Sequence, residues 1–97
     1  MAVPPDDLIE DALNALRPDL RGRRVSVHIA PDLPLVAVDV EAATDQIRRA
    51  VNDTIGSAPG DAGITIGATV WKGTVEVRVA GANGDARVLR FPEASLR

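Results

Sequence analysis

The groups that could do chemistry are few in this 97-residue chain. It has one histidine, His28, and no cysteine. Disulfides, thiol chemistry and paired His/Cys ligands for a transition metal are therefore closed to it. No Ser/His/Asp spacing suits nucleophilic catalysis, and no P-loop is present. What remains is a polar cluster inside LPLVAVDVEAATDQIRRAVNDTIGSAP, Leu33 to Pro59. There Arg49, Asn52, Asp53 and Gly56 stand close together. Arg49 lies four residues before Asp53, the spacing at which opposite charges meet on a helix face. The simplest expectation is an Arg49–Asp53 ion pair. Most other aspartates fall where caps and turns are expected.

These groups need a helix to hold them. Ala43, Ile47, Ala50, Val51, Thr54, Ile55 and Ala58 recur at spacings of three and four, which predicts one buried helix face. The helix starts near Val40 or Glu41, after a short apolar strand from Leu35 to Val38, and stops at Pro59-Gly60. Upstream, Leu8, Ile9, Ala12, Leu13, Leu16 and Leu20 mark a first amphipathic helix, with a capping box expected between Asp7 and Glu10. Pro18 ends or kinks it, and Met1 to Pro5 reads as a tail. Val25, Val27 and Ile29 alternate with Arg24, Ser26 and His28, as in a half-buried strand. The run from Ile64 to Val79 predicts a hairpin turning at Lys72-Gly73, with Trp71 packing over the end of the sheet. Gly81 to Asp85, GANGD, is a glycine-rich connection to a last strand, Ala86 to Phe91. The fold class is α+β: a two-layer sandwich with two helices on one face of a mixed five-stranded sheet.

A chain of this size is one domain with a small core. Only Trp71 and Phe91 are aromatic, so Val, Ile, Leu and Ala must fill that core. The net charge is −3 and the sole basic cluster is Arg21, Arg23 and Arg24, so nucleic acid is not an expected partner. No apolar run is long enough to span a bilayer. No membrane partner is expected, and the location is taken as cytoplasmic.

Three segments give the chain a resemblance. It resembles the ATP-binding domain of bacterial sensor histidine kinases, of the Bergerat (GHKL) fold. DLIEDALNALRPDLRGRRVSV, Asp7 to Val27, looks like that family's opening helix and first strand. PDLPLVAVD, Pro31 to Asp39, is similar to its P-x-L-P-x-V-x-x-D lead into the central helix. RAVNDTIGSAP, Arg49 to Pro59, falls on its N-box, N-L-L-x-N-A-x-K-Y-S-P. The hairpin from Gly63 to Ala80 follows where the family places one. The resemblance covers nearly the whole chain and implies a minimal Bergerat fold.

The family's chemistry does not carry over residue by residue. Its two N-box asparagines hold phosphates and Mg²⁺, and its lysine helps with phosphate; Arg49, Asp53 and Gly56 stand at those positions. Asn52 is one residue out of register, about 100° around a helix. The family's D-x-G-x-G motif reads the adenine amino group through its aspartate. Here Gly81 takes the place of that aspartate, Asn83 that of the first glycine and Asp85 that of the second. GANGD then passes almost at once into the last strand, so the family's lid, second glycine motif and third helix have no counterpart. His28 lies in a strand, whereas the family's phosphoacceptor sits on a separate helical hairpin, so an ordinary surface histidine is expected.

The resemblance thus implies a degenerate, non-catalytic relative acting as a protein-interaction module in signalling, without a cofactor. The alternative is a weak ATP- or ADP-binding domain of a two-component sensor kinase, with Mg²⁺ on Asp53 and the Gly81–Asp85 loop near the base. A piece of a larger active kinase is less favoured, because the chain begins with Met1 and ends just after its apparent terminal strand. Without a third helix, an uncovered patch is expected near Val77, Val79, Leu89 and Phe91. That patch implies a protein partner or a homodimer.

Overall fold

The structure is a computed structural model and describes residues 2–18, 22, 24–57, 63–81, 84 and 86–94. Helix α1 spans Pro5–Ala15. Pro5 stands in its first turn, where a fixed φ helps and a missing N–H costs nothing. Asp6 and Asp7 also lie in that turn, beside the positive end of the helix dipole. The expected Asp7–Glu10 capping box does not form. Proline opens the helix earlier, so both residues are already inside it, and the N-cap Pro4 makes no side-chain cap bond. Leu8, Ile9, Ala12 and Leu16 form the buried face. Leu20 lies outside the described residues.

Helix α2 spans Val40–Ser57. Asp39 caps it: its carboxylate accepts the Ala42 N–H at 3.2 Å and its carbonyl accepts the Ala43 N–H at 2.9 Å. Ala43, Ile47, Ala50, Val51 and Thr54 are buried, as the spacing predicts. The Thr54 hydroxyl donates to the Ala50 carbonyl at 2.8 Å, which satisfies it inside the core.

Strands β2 (Val25–Ile29), β4 (Ile64–Trp71), β5 (Thr74–Gly81) and β6 (Ala86–Pro92) form one mixed sheet in the order β2-β4-β5-β6. The β2–β4 pair is parallel and the other two are antiparallel. Lys72 (φ 49°) and Gly73 (φ 76°) make the hairpin turn between Trp71 and Thr74. Two consecutive positive φ values give a primed turn, whose twist matches the flanking strands. Ile64, Ile66, Ala68, Val75, Val77, Val79 and Phe91 line one face and are buried beneath both helices. The result is an α+β sandwich of two layers.

Two expectations change. The Leu35–Val38 segment does not join the main sheet. Its strand, β3 (Val36–Ala37), pairs antiparallel with β1 (Ala2–Val3), inside the segment read as a tail. Pro34 and the Asp39 cap leave β3 too short for a full ladder. A Val36–Glu93 bridge and a 2.8 Å bond from Ala94 N–H to the Leu35 carbonyl fasten this ribbon to the end of β6. The expected five-stranded sheet is therefore a four-stranded sheet plus a two-stranded ribbon. Trp71, the last residue of β4, is 67% exposed rather than packed over the end of the sheet, with the Lys72 ammonium 5.5 Å from its ring centre.

The expected bare patch is also corrected. Val77, Val79 and Phe91 are buried and Leu89 is half-buried against the core. Helix α2 packs directly on β5 and β6, and α1 and α2 are the two helices among the described residues. A recess of about 250 Å³ beside β6, floored by Phe91, stays open.

Candidate functional site

Arg49, Asp53 and Gly56 follow one another at spacings of four and three, so they share a stripe of α2 outside its buried face. All three are exposed. The expected Arg49–Asp53 pair is absent. Arg49 Nε instead meets Asp45 Oδ2 at 2.9 Å, and Asp45 Oδ1 also takes the Arg48 guanidinium. The order of charges explains the choice. An acid placed four residues before a base agrees with the helix dipole, whereas Arg49 before Asp53 is the reverse arrangement. The Arg48 hydrogen bond holds the Asp45 carboxyl below its ordinary range; desolvation opposes this, and the charges of Arg49 and Arg48 assist it. Asp45 was legible only through this ordering, and spacing alone passed over it.

Asp53 is left without an ion pair among the described residues. No group of three or more metal-ligating side chains gathers among them either. Asp53 is thus a single exposed carboxylate near the end of α2. Gly81 closes β5, and its Cα partner is Ile64, the first residue of β4. Helix α2 ends at Ser57, a short link before Ile64, so Asp53, Gly56 and Gly81 lie towards the same end of the sandwich. The Gly84 N–H donates to the Gly81 carbonyl at 3.2 Å, and Gly84 adopts φ +90°, which a side chain would strain. Asn83 and Asp85 lie outside the described residues.

Four residues, 82–85, separate Gly81 from Ala86, and Ala86 already pairs with Ala80. At this end of the sandwich Asp53 presents an exposed carboxylate, and Gly81 presents no side chain.

No protein-family model matches the chain, and no curated protein matches it by sequence. Solved structures do. The catalytic domain of the histidine kinase ThkA, in nucleotide-free forms, superposes with a TM-score of 0.77 at 14% identity, over 84% of this chain and 57% and 58% of that chain in two forms. The mycobacterial sensor histidine kinase MprB superposes with a TM-score of 0.74 at 13% identity, over 84% of this chain and 54% of its own. The fold is that of histidine-kinase catalytic domains, as the three sequence segments imply. The chain spans between 54% and 58% of the length of these structures. No helix among the described residues is long and apolar enough to cross a membrane.

Proposed function

We propose that the chain serves as an adenine-nucleotide-binding domain of the histidine-kinase type in cytoplasmic two-component signalling, and that it holds nucleotide weakly through Mg²⁺ on Asp53. The observation that carries this reading is the fold match to histidine-kinase catalytic domains, together with an exposed Asp53 that has no ion pair among the described residues, at the position of α2 that matches the N-box. One carboxylate without a base-reading partner supports a dissociation constant near 1 mM, about −4 kcal/mol. No phosphoryl-transfer step is assigned, because transfer depends on positioning and charge stabilisation that a lid and a phosphate-binding cluster would supply.

Calorimetry with ATP tests the proposal. Binding in the millimolar range with Mg²⁺, lost on chelation, supports it. A Mg²⁺-independent signal would separate any binding from Asp53. A second reading, a non-catalytic protein-interaction module, is favoured by one observation: Arg49, Asp53 and Gly81 replace the residues that would hold phosphate, metal and adenine. Complete silence towards nucleotide would select it.

A further inference from the structure

Strands β2 and β6 are the two edges of the sheet among the described residues; Val36 bridges to Glu93 beside β6, and β2 has no strand on its outer side. The outward-facing backbone groups of β2 follow from the ladder. The Arg24 carbonyl accepts the Ile64 N–H at 2.8 Å, and the Ala30 N–H donates to the Ala68 carbonyl at 3.0 Å. Backbone direction alternates along a strand, so Arg24, Ser26, His28 and Ala30 address β4. Val25, Val27 and Ile29 turn their N–H and C=O groups off the edge.

The same residues project side chains to the core face, where Val27 pairs with Ile66 and Ile29 with Ala68. Yet Val27 is 41% exposed and Ile29 39%. Helix α1 leaves a groove of about 490 Å³ over them, floored by Ile9, Leu13, Val27 and Ile29. Its rim is charged asymmetrically: Asp6 and Glu10 near one end, Arg17 at the other.

The direction of α1 fixes which end is which. It starts just after β1, whose partner β3 is bridged to Glu93. Glu93 N–H bonds the Gly73 carbonyl at 2.9 Å, so α1 begins at the hairpin end, beside the C-terminus of β2. Helix α1 and β2 therefore run in opposite directions.

We propose that this edge pairs with a second copy of the chain, β2 against β2 antiparallel, about a two-fold axis at Val27. The axis stands perpendicular to the sheet, so both helical layers fall on one side. Val27 then faces Val27 of the partner subunit, and Val25 faces Ile29 of the partner subunit. Each facing pair exchanges both N–H···O=C bonds, because these are the residues whose groups point outward. The two-fold also brings each Arg17 to the partner's acidic rim, since it exchanges the ends of the groove. The charge pattern is self-complementary, as an isologous interface requires. The exposed Val27 and Ile29 side chains lose their water in the same step.

Sedimentation velocity and light scattering test the arrangement on the full chain. Wild type is expected to be dimeric at about 100 µM, with Val27→Asp monomeric. Arg17→Glu should raise the dimer dissociation constant about tenfold or more, roughly 1.4 kcal/mol, and Arg17→Glu combined with Glu10→Arg should restore it. Glu10 lies on the surface of α1 and Arg17 just beyond its end, both exposed, so these variants leave the core intact and decide the matter even if Val27→Asp fails to fold. A wild type that stays monomeric at about 500 µM overturns the proposal and leaves the edge to a different partner. A dimer indifferent to Arg17→Glu overturns it too.

Discussion

Arg49 Nε sits 2.9 Å from Asp45 Oδ2, one turn back along α2, and Asp53 has no ion pair among the described residues. The consequence is functional as well as structural. A carboxylate that is already neutralised makes a poor Mg²⁺ ligand, whereas a free one at a helix surface is open to it. The pair that anchors Arg49 therefore keeps the candidate site available.

Replacing Asp53 should cost no stability. Alanine is the better helix former, by up to about 0.7 kcal/mol, and an acid near a helix C-terminus opposes the dipole. Asp53→Ala is expected to be neutral or slightly stabilising in urea unfolding. A loss of several kcal/mol would mean that the carboxylate is buried or bound.

Asp45 should give α2 a small acid sensitivity. Its folded pKa is depressed, so the stabilisation is present above its ordinary value of 3.8 and is lost as pH falls through and below that value. Unfolding midpoints followed from pH 6 towards about pH 3 should fall slightly less in Asp45→Asn than in wild type. Because the pair is exposed, high salt should shrink the difference. An effect that persists in molar salt would place the carboxylate in a drier site than the structure shows.

The hairpin turn should respond at Gly73. Its φ of 76° is costly for any residue with a Cβ, although the nearest atom to an added Cβ, Glu93 Oε2, is at 3.8 Å. Gly73→Ala should therefore destabilise by about 1–2 kcal/mol through backbone strain alone. Lys72→Asn, at φ 49°, should be tolerated or mildly stabilising, since asparagine accepts the left-handed region. Thermal unfolding of the two variants distinguishes these outcomes.

The core prediction is conventional in size. Ile47 is fully buried between the layers, so Ile47→Ala should cost about 2–5 kcal/mol. A smaller loss would mean that α2 packs loosely on β5 and β6.

Much of this fold was legible from periodicity. Ala43 to Thr54 and Val75 to Val79 each have one buried side, and a spacing of three and four or of two reads directly as helix or strand. Three things were not legible, each for a physical reason. Ala2–Val3 pairs with Val36–Ala37, and two-residue strands carry no period. Val27 and Ile29 alternate as core residues do, but burial depends on how far α1 reaches across the sheet edge. The uncovered patch expected at Val77, Val79, Leu89 and Phe91 presumed a fixed helix position, and α2 lies over β5 and β6 instead. At the candidate site, spacing brought Arg49 to Asp53, while the helix dipole favours Asp45.

The most direct test of the functional reading is a titration of the ¹⁵N-labelled chain with Mg²⁺-ADP, followed by amide chemical shifts. The account predicts shifts confined to Asp53, Gly56 and Gly81 and their neighbours, saturating with a dissociation constant near 1 mM and abolished in Asp53→Ala. Shifts that survive in Asp53→Ala, or no shifts at about 10 mM nucleotide, would contradict it.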